Sequence, residues 1–478
     1  MKHQIDIGDT IIAVATPPGR GGIGVIRLSG PKALSTALAV FRFRDKPVKR
    51  KTLEANYLHF GQVTNHPHPA LSRQKGEGIL DHGYLAYFRT PNSYTGEDVV
   101  EFQLHGSPRV MQEVIEICLS VGKGAVRPAE PGEYTRRAFV NGKIDLTGAE
   151  GVADLIEART AAAGRLASRQ VQGELYAKIL SIREPLMGLL AQVQGDLNFP
   201  EDGIPELALR ALRTGVQKAR TSLDELITSS QHSWVYRDGL RVAIIGFPNE
   251  GKSSLFNALL GRDRSIVSPI SGTTRDTIED AIDIAGVPVI LTDTAGLTKS
   301  DDELEKLGIE RSIRAIRETD LIVLVTDART GDQGEQLFWK SVDPAVADEI
   351  QKHPVIRVNN KIDLSKTAVP TRWKTEEAWV SARLGKNIDR LKKLLVRDYL
   401  DGAVERGDLV VTNVRQMHLL TLAHQSLSDA LEALDAGIDT DVLSLDIEQA
   451  INYLGEIVGI QVHEELLEQI FSRFCIGK

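Results

Sequence analysis

The sequence predicts a multi-domain protein of α+β and α/β class, with a P-loop α/β domain inserted into a helical bundle formed by its two flanks. Three observations carry this. Residues 1–143 mix short β-branched runs with Gly and Pro, as in a compact domain containing sheet. From about Leu146 the apolar period becomes helical. Between about 239 and 398, short apolar strands alternate with helical segments, the βαβ signature of a mainly parallel sheet.

In chain order, Thr10 to Ala15 and Gly24 to Leu28 read as strands, and the polar His66 to Gly78 as a surface loop. Val152, Leu155 and Ile156 recur at helical spacing and are expected to form one buried stripe. Pro185 should kink or divide the helical run that continues to Gln194, because it lacks an amide donor and crowds the preceding turn. A further helix covers about Pro205 to Ile227. The strands Arg241–Ile245, Pro288–Leu291, Leu321–Thr326 and Val355–Val358 follow. After about Asp398 the texture returns to helix, including Met417 to Leu434 and Glu464 to Phe474. The expected domain limits are 1–143, 144–238, 239–398 and 399–478.

Composition narrows the class. A chain of 478 residues has room for roughly two to four domains. A hydrophobic fraction of 42% with 26% charged residues is ordinary for a globular protein. Apolar runs stop far short of the roughly twenty residues a spanning helix needs, and the first residues lack the apolar stretch of a signal peptide, so no membrane association and a cytoplasmic location are expected. Cys118 and Cys475 are too few for a disulfide framework. The formal charge of −8 argues against a broad nucleic-acid footprint. The basic stretch Arg42 to Lys51 is read as a solvated loop or sheet edge.

The strongest chemical signal is Gly246-Phe-Pro-Asn-Glu-Gly-Lys-Ser253, a P-loop between a strand and a helix. Gly246 and Gly251 let backbone amides turn toward phosphate oxygens, Lys252 supplies a point charge, and the Ser253 hydroxyl suits Mg²⁺. Downstream, Asp293-Thr-Ala-Gly296 closes a strand, where an acid can hold Mg²⁺ through water and Gly296 admits a γ-phosphate. Asn360-Lys-Ile-Asp363 offers a carboxylate to the N1–H and N2 donors of guanine, and Ser381-Ala382 fits a supporting loop around the base. In this order and spacing the set is specific for a GTPase. Gly272-Thr-Thr-Arg-Asp276 is the expected switch loop, with Thr274 preferred over Thr273 as an Mg²⁺ ligand. Leu297 occupies the place of a water-positioning glutamine and cannot orient a water, so the hydrolytic group must lie elsewhere or hydrolysis must be slow.

With the G motifs stand Ala15-Thr-Pro-Pro-Gly-Arg-Gly-Gly22, Tyr94-Thr-Gly-Glu-Asp98 and the terminal Phe474-Cys-Ile-Gly-Lys478. On these motifs the chain resembles the MnmE (TrmE) family of tRNA-modification GTPases over nearly its whole length. The resemblance implies a folate-binding N-terminal domain that also dimerises, a helical domain and an inserted Ras-like G domain. It also implies a homodimer that works with the flavoprotein MnmG, in a hetero-oligomer, on certain tRNAs. The product would carry an aminomethyl or carboxymethylaminomethyl group at C5 of the wobble uridine. The one-carbon unit would come from a tetrahydrofolate derivative, 5-formyl- or methylene-tetrahydrofolate.

The resemblance further implies a K⁺ ion held by Asn249, Ser268, Ile270 and Thr273, which would neutralise transition-state charge as an arginine finger does. Glu305 matches the family's catalytic glutamate and would orient the attacking water through a second water; without the resemblance it reads as a solvated helix charge. The expected GTP-binding set is Asn249, Glu250, Gly251, Lys252, Ser253, Ser254, Ser268, Pro269, Ile270, Ser271, Gly272, Thr273, Thr274, Asp293, Thr294, Ala295, Gly296, Asn360, Lys361, Ile362, Asp363, Ser381, Ala382 and Arg383.

For folate, the resemblance implies Arg27, Glu101, Lys143 and Lys478, cations for the cofactor's glutamate tail and a carboxylate for pterin N–H donors. Taken alone these four are an edge-strand charge, an exposed strand position, a loop lysine and a frayed end. Cys475 is a candidate reactive thiol or a small residue packing the last helix, whereas Cys118 reads as core. Glu250 departs from the family's usual alanine and adds a negative charge near the phosphates, either pointing to solvent or modestly weakening nucleotide affinity. Two other classes compete: a regulatory switch on RNA or ribosomes, and a folate-dependent aminomethyltransferase with a vestigial G domain. Folate binding separates the first from the enzyme, and the intact G motifs argue against the second.

Overall fold

The computed structural model describes residues 8–44, 53–65, 78–197, 206–261, 279–293, 313–365, 369–400, 402–436 and 440–477. Backbone contacts divide the chain into two compact units, residues 1–153 with 455–478, and residues 154–454.

The first unit is built on a seven-stranded sheet formed by β1 (Thr10–Val14), β2 (Gly21–Ser29), β3 (Phe41–Phe43), β4 (Leu58–Thr64), β5 (Ile79–Phe88), β6 (Val99–Gly106) and β7 (Val126–Pro128). Its order is β3-β4-β5-β6-β2-β1-β7. All its pairings are antiparallel except β1 with β7. Alternation puts Ile12, Ile26, Val63, Leu85 and Phe102 on one face, where they pack with Ala37, Val40, Met111, Val114 and Cys118 from the helices Ala33–Val40 and Pro108–Gly122. Cys118 is therefore core, and burial pushes its thiol up to about 12. Arg42 lies on the edge strand β3, which agrees with the sheet-edge reading; Lys46 to Lys51 lie outside the described residues. So does most of the predicted loop from His66 to Gly78.

Helix Leu146–Glu157 corrects one expectation. It turns Leu146 and Ala149 toward Val462, Leu467 and Phe471, while Leu155 and Ile156 are 43% and 44% exposed. The face that finds a partner is set by Leu146 and Ala149, one helical turn apart, and the more apolar pair lies off that stripe. The final helix, Glu464–Ser472, packs with helix Glu133–Val140, and Phe139 meets Phe471 at 6.4 Å between ring centroids.

The second unit contains long helices and a six-stranded sheet. Helices Ala161–Val171, Glu174–Leu197 and Glu206–Ser230 pack in succession, and Val414–Asp435 packs along Glu206–Ser230. Pro185 does not divide its helix, which runs unbroken from Glu174 to Leu197; the break comes earlier, at Gly173, where φ is +81°. Glycine takes that left-handed turn without a Cβ penalty, whereas Leu186, Ile182 and Ile179 bury the helix on both sides of the proline.

The sheet comprises β8 (Leu240–Gly246), β9 (Glu279–Ile284), β10 (Val287–Asp293), β11 (Leu321–Asp327), β12 (Val355–Asn360) and β13 (Glu377–Trp379). Its order is β13-β12-β11-β8-β10-β9, parallel throughout except for the antiparallel edge pair β9/β10. Apolar clusters cover both faces, which is why the central strands are uninterrupted apolar runs. Among the described residues, no helix is long and apolar enough to cross a membrane.

Candidate functional site

The carboxyl ends of β8, β10, β11 and β12 bring Gly246, Asp293, Asp327 and Asn360 to one edge of the sheet, the end at which open α/β sheets bind ligands. The P-loop leaves β8 and enters helix Lys252–Leu260 with Gly251 at its N-cap, so the helix's first amides face the loop. Gly246 and Gly251 have φ of +148° and +94°. A Cβ on Gly246 would strike the carbonyl of Val325, and one on Gly251 the Asn360 amide, so close approach and backbone conformation both require glycine. Lys252 Nζ donates to the carbonyls of Gly246 and Phe247 at 3.0 and 2.9 Å, which holds the ammonium over the loop. Ser253 and Ser254 are exposed in the first helical turn.

Asn360 ties three predicted motifs together. Its Nδ2 donates to the carbonyl of Glu250 at 3.0 Å, and its Oδ1 accepts from the Ala382 N–H at 3.0 Å. Ser381 Oγ donates to Asp363 Oδ1 at 2.6 Å and accepts from the Leu384 N–H at 3.2 Å. Asp363 thus presents an exposed, oriented carboxylate beside the loop that contains Ala382 and Arg383. Ile362 is buried beneath it with Ala328 and Trp379.

Lys361 adopts a φ of +62° and donates from Nζ to the Asn249 carbonyl at 2.5 Å and to Asp327 Oδ2 at 2.9 Å. Asp327 also takes a forked pair from Arg329, closest at 2.6 Å. Although burial alone would raise it, hydrogen bonds from Arg329 and Lys361 hold the Asp327 carboxyl far below its ordinary value. Asp327 and Arg329 were missed from the sequence. The available signal was an acid ending the apolar run Leu321 to Thr326, the same strand-end position as Asp293. Glu250 does not point to solvent as one sequence reading allowed. Burial, followed by the nearby Asp327 charge, raises its carboxyl, and Oε2 is enclosed.

Asn249 has a φ of +66°, the left-handed conformation that asparagine tolerates well. Asp293 ends β10 opposite Ile244 of β8. Ser268, Pro269, Ile270, Ser271, Gly272, Thr273, Thr274, Thr294, Ala295, Gly296, Leu297, Glu305 and Lys478 lie outside the described residues.

In the first unit, Arg27 Nε donates to Glu101 Oε1 at 2.8 Å across β2 and β6. The guanidinium lies 5.7 Å from the Tyr94 ring centroid and 5.6 Å from that of Tyr134. Tyr134 OH donates to the Arg27 carbonyl at 2.6 Å. The pair is an aromatic-walled cationic niche rather than two solvated strand charges. Lys143 packs its stem beside Gly96.

The Tyr94–Asp98 motif knits this wall. Tyr94 OH lies 2.8 Å from Thr135 Oγ1, Glu97 meets Arg137 at 3.1 Å, and Asp98 Oδ1 accepts from Tyr87 OH at 2.9 Å. Arg137, only 3% exposed, also pairs with Asp9 and Glu133 at 2.5 and 2.9 Å. This buried network is not legible in the sequence, because its acids are scattered from residue 9 to 133. The terminal tail joins the same unit: Ile476 bridges to Pro131, and Gly477, at φ +97°, abuts the carbonyl of Val14 next to the Ala15–Gly22 motif. Cys475 is exposed there.

Family models match two stretches that together span most of the chain. Residues 10–143 match the GTP-binding protein TrmE N-terminus, and residues 146–475 match the MnmE helical domain. The tRNA modification GTPase MnmE of Aquifex aeolicus is 40% identical over 98% of this chain and 100% of its own length. That of Roseiflexus sp. is 40% identical over 98% and 99%, and that of a Synechococcus strain 39% over 100% of both.

Proposed function

The chain belongs to the MnmE family of tRNA modification GTPases, and from that premise we infer a K⁺-activated enzyme that works with the flavoprotein MnmG at the wobble uridine. It is a GTP hydrolase acting in tRNA modification, and its family uses GTP with Mg²⁺. The observation that carries the reading is Asn360, which joins the P-loop carbonyl of Glu250 to the amide of Ala382 and so fixes one pocket for phosphates and base. In that pocket Asp363, held by Ser381, would accept the guanine edge, and Lys252 would answer the terminal phosphates. Ser253, Thr274 and, through water, Asp293 are the proposed holders of Mg²⁺, which when bound would neutralise charge between the β- and γ-phosphates.

Asn249, Ser268, Ile270 and Thr273 are the proposed K⁺ ligands, and Glu305 the group that positions water. The left-handed backbone of Asn249, braced by Lys361 at its carbonyl, suits a side chain turned toward the phosphate side. For the N-terminal unit we propose a tetrahydrofolate site using Arg27, Glu101, Lys143 and Lys478. The aromatic walls around Arg27 suit a flat ring, and Arg27 would exchange part of its pairing with Glu101 for the cofactor's carboxylates. The proposed assembly is a cytoplasmic homodimer that joins MnmG. The proposed domains are 1–143, 144–238, 239–398 and 399–478, the third being the inserted G domain.

The test is reconstitution. Purified protein, MnmG, unmodified tRNA, GTP and a folate one-carbon donor should yield a C5-modified wobble uridine by nucleoside mass spectrometry. Unaltered uridine with an active MnmG and fresh folate would reject the proposed reaction.

A further inference from the structure

The formal charge of the chain is −8, yet residues 369–400 hold eight Arg and Lys against four acids. The fold gathers part of that excess on one surface. Helix Ile388–Val396 buries Ile388, Leu391 and Leu395 in the core beside the sheet, which leaves Arg390 and Lys393, one turn apart, exposed. The stretch 371–375 runs alongside, because it is tied at two points. Arg390 Nη1 donates to the Thr371 carbonyl at 3.4 Å, and Arg397 Nη1 donates to that of Thr375 at 3.1 Å. Between these ties, half-buried Trp373 packs on the core, and the Arg390 guanidinium lies 3.9 Å from its ring centroid. Arg372 and Lys374, on either side of Trp373, are exposed.

These four cations differ from their neighbours in having no acid to answer them. Around the same sheet, Arg329 has Asp327, Arg357 has Glu335, Arg317 has Glu349 and Lys352 has Asp348. Among the described residues, no acid comes within ion-pair distance of Arg372, Lys374, Arg390 or Lys393. Asp398 is spent on a forked pair with Arg397, and Glu376 and Asp389 stay out of reach. Like charges gathered without counter-charges repel one another, so the strip attracts anions, and polyanions most of all. Arg390 suits this use: stacked on Trp373 its plane is already oriented, and its outer donors face away from the ring, toward any phosphate oxygen that approaches.

Resting on the tRNA-modification reading, we propose that Arg372, Lys374, Arg390 and Lys393 form a strip that holds the phosphate backbone of tRNA. None of the four belongs to the P-loop, to Asn360–Asp363 or to the loop at Ser381–Arg383, so the strip serves the RNA and not the guanine nucleotide. Contacts of this kind position an RNA without reading its bases. They also make binding steeply dependent on salt, since each neutralised phosphate releases a counterion.

The experiment is binding of a fluorescently labelled tRNA transcript to the full chain across a range of salt concentrations. Replacing all four residues, by Arg372→Gln, Lys374→Gln, Arg390→Gln and Lys393→Gln, should weaken binding roughly tenfold to a hundredfold at low salt. The slope of log affinity against log salt should fall by about three, with GTP hydrolysis unchanged. Arg372→Lys with Arg390→Lys keeps every charge and should keep the slope. Arg372→Gln with Lys374→Gln leaves the Arg390 stack intact and should give about half the loss, which separates the charge effect from any folding defect. Unchanged affinity and slope in the fourfold variant overturn the proposal, whether the strip then meets an acidic protein or only solvent. The same loss per charge from Lys218→Gln with Lys340→Gln, exposed cations elsewhere in the second unit, also overturns it, because net charge alone would be acting. If the unsubstituted chain bound no tRNA even at low salt, the strip and the direct contact with tRNA on which it rests would fall together.

Discussion

At the scale of single residues, Asn360 and Lys361 explain how three short motifs, spread from residue 246 to 383, are held together. Each spends its side chain on protein atoms: Asn360 on Glu250 and Ala382, Lys361 on Asn249 and Asp327. Asn360→Ala removes two hydrogen bonds and leaves a buried amide unpaired, so GTP affinity should fall roughly tenfold to a hundredfold. Equilibrium titration with a fluorescent GTP analogue checks this, and an unchanged affinity would mean the loops are held by other contacts. The motif residues were legible in sequence because phosphate and guanine chemistry demand particular residue types at fixed spacing. Asp327 and the true environment of Glu250 were not, since both depend on which strand ends become neighbours in the folded sheet. Likewise Arg27 and Glu101 each read as an ordinary strand charge, and only their register across β2 and β6 makes them a pair.

Elements show where local pattern loses to packing. Strand β9 escaped the sequence reading because Glu279, Asp280 and Asp283 interrupt its apolar pattern, and Ile282 and Ile284 alternate as its buried residues while Asp283 is exposed, as suits an edge strand. The turn between β9 and β10 is clamped to helix Ala161–Val171: Thr160 Oγ1 donates to the Gly286 carbonyl at 2.7 Å, and a Cβ on Gly286 would come within 2.8 Å of Ala162 Cβ. Gly286 also has a φ of +88°. Gly286→Ala should therefore cost about 1–3 kcal/mol of stability, visible as a lower thermal midpoint. A thermal midpoint equal to that of the native sequence would show that the helix can yield at no cost.

Helix Glu133–Val140 carries the other element-scale prediction. Burial would raise the Glu133 carboxyl, but Arg127, the Glu130 amide and Arg137 outweigh it and hold it below the usual range; Asp9 is held low in the same way by Arg137 and Arg127. Carboxylates depressed on folding give stability that is present above their unfolded values, near 4, and is lost as pH falls through the folded values. Unfolding of the N-terminal unit should thus become easier below about pH 4. Arg137→Ala should destabilise this unit by about 3–5 kcal/mol at neutral pH, because it removes the buried cation shared by Asp9, Glu97 and Glu133 and leaves Glu97 without its cationic partner. Denaturant titration followed at Tyr94 and Tyr134 reports both effects. A loss under 1 kcal/mol in Arg137→Ala would show that water satisfies the acids instead.

At the scale of the whole molecule, the division into a mixed N-terminal region, helical flanks and an inserted α/β region was readable because hydrophobic period changes at each boundary. What period does not reveal is where a segment returns to pack. The last helix and tail are helical in pattern, yet Phe471 meets Phe139, and Gly477 abuts Val14 in the N-terminal unit. Cys475 and the Ala15–Gly22 motif belong to the same compact unit. The P-loop, Asn360–Asp363 and the loop at Ser381–Arg383, by contrast, meet within the second unit. The proposed hydrolytic chemistry rests on Asn249 and Glu305, proposed as a cation ligand and a water-positioning acid in place of the glutamine absent at Leu297. Steady-state GTP hydrolysis in KCl and in NaCl at equal ionic strength, with Glu305→Ala alongside, tests that claim most directly. Strong stimulation by K⁺ that Glu305→Ala abolishes is the expected result; equal rates in the two salts, or a fully active Glu305→Ala, would contradict it.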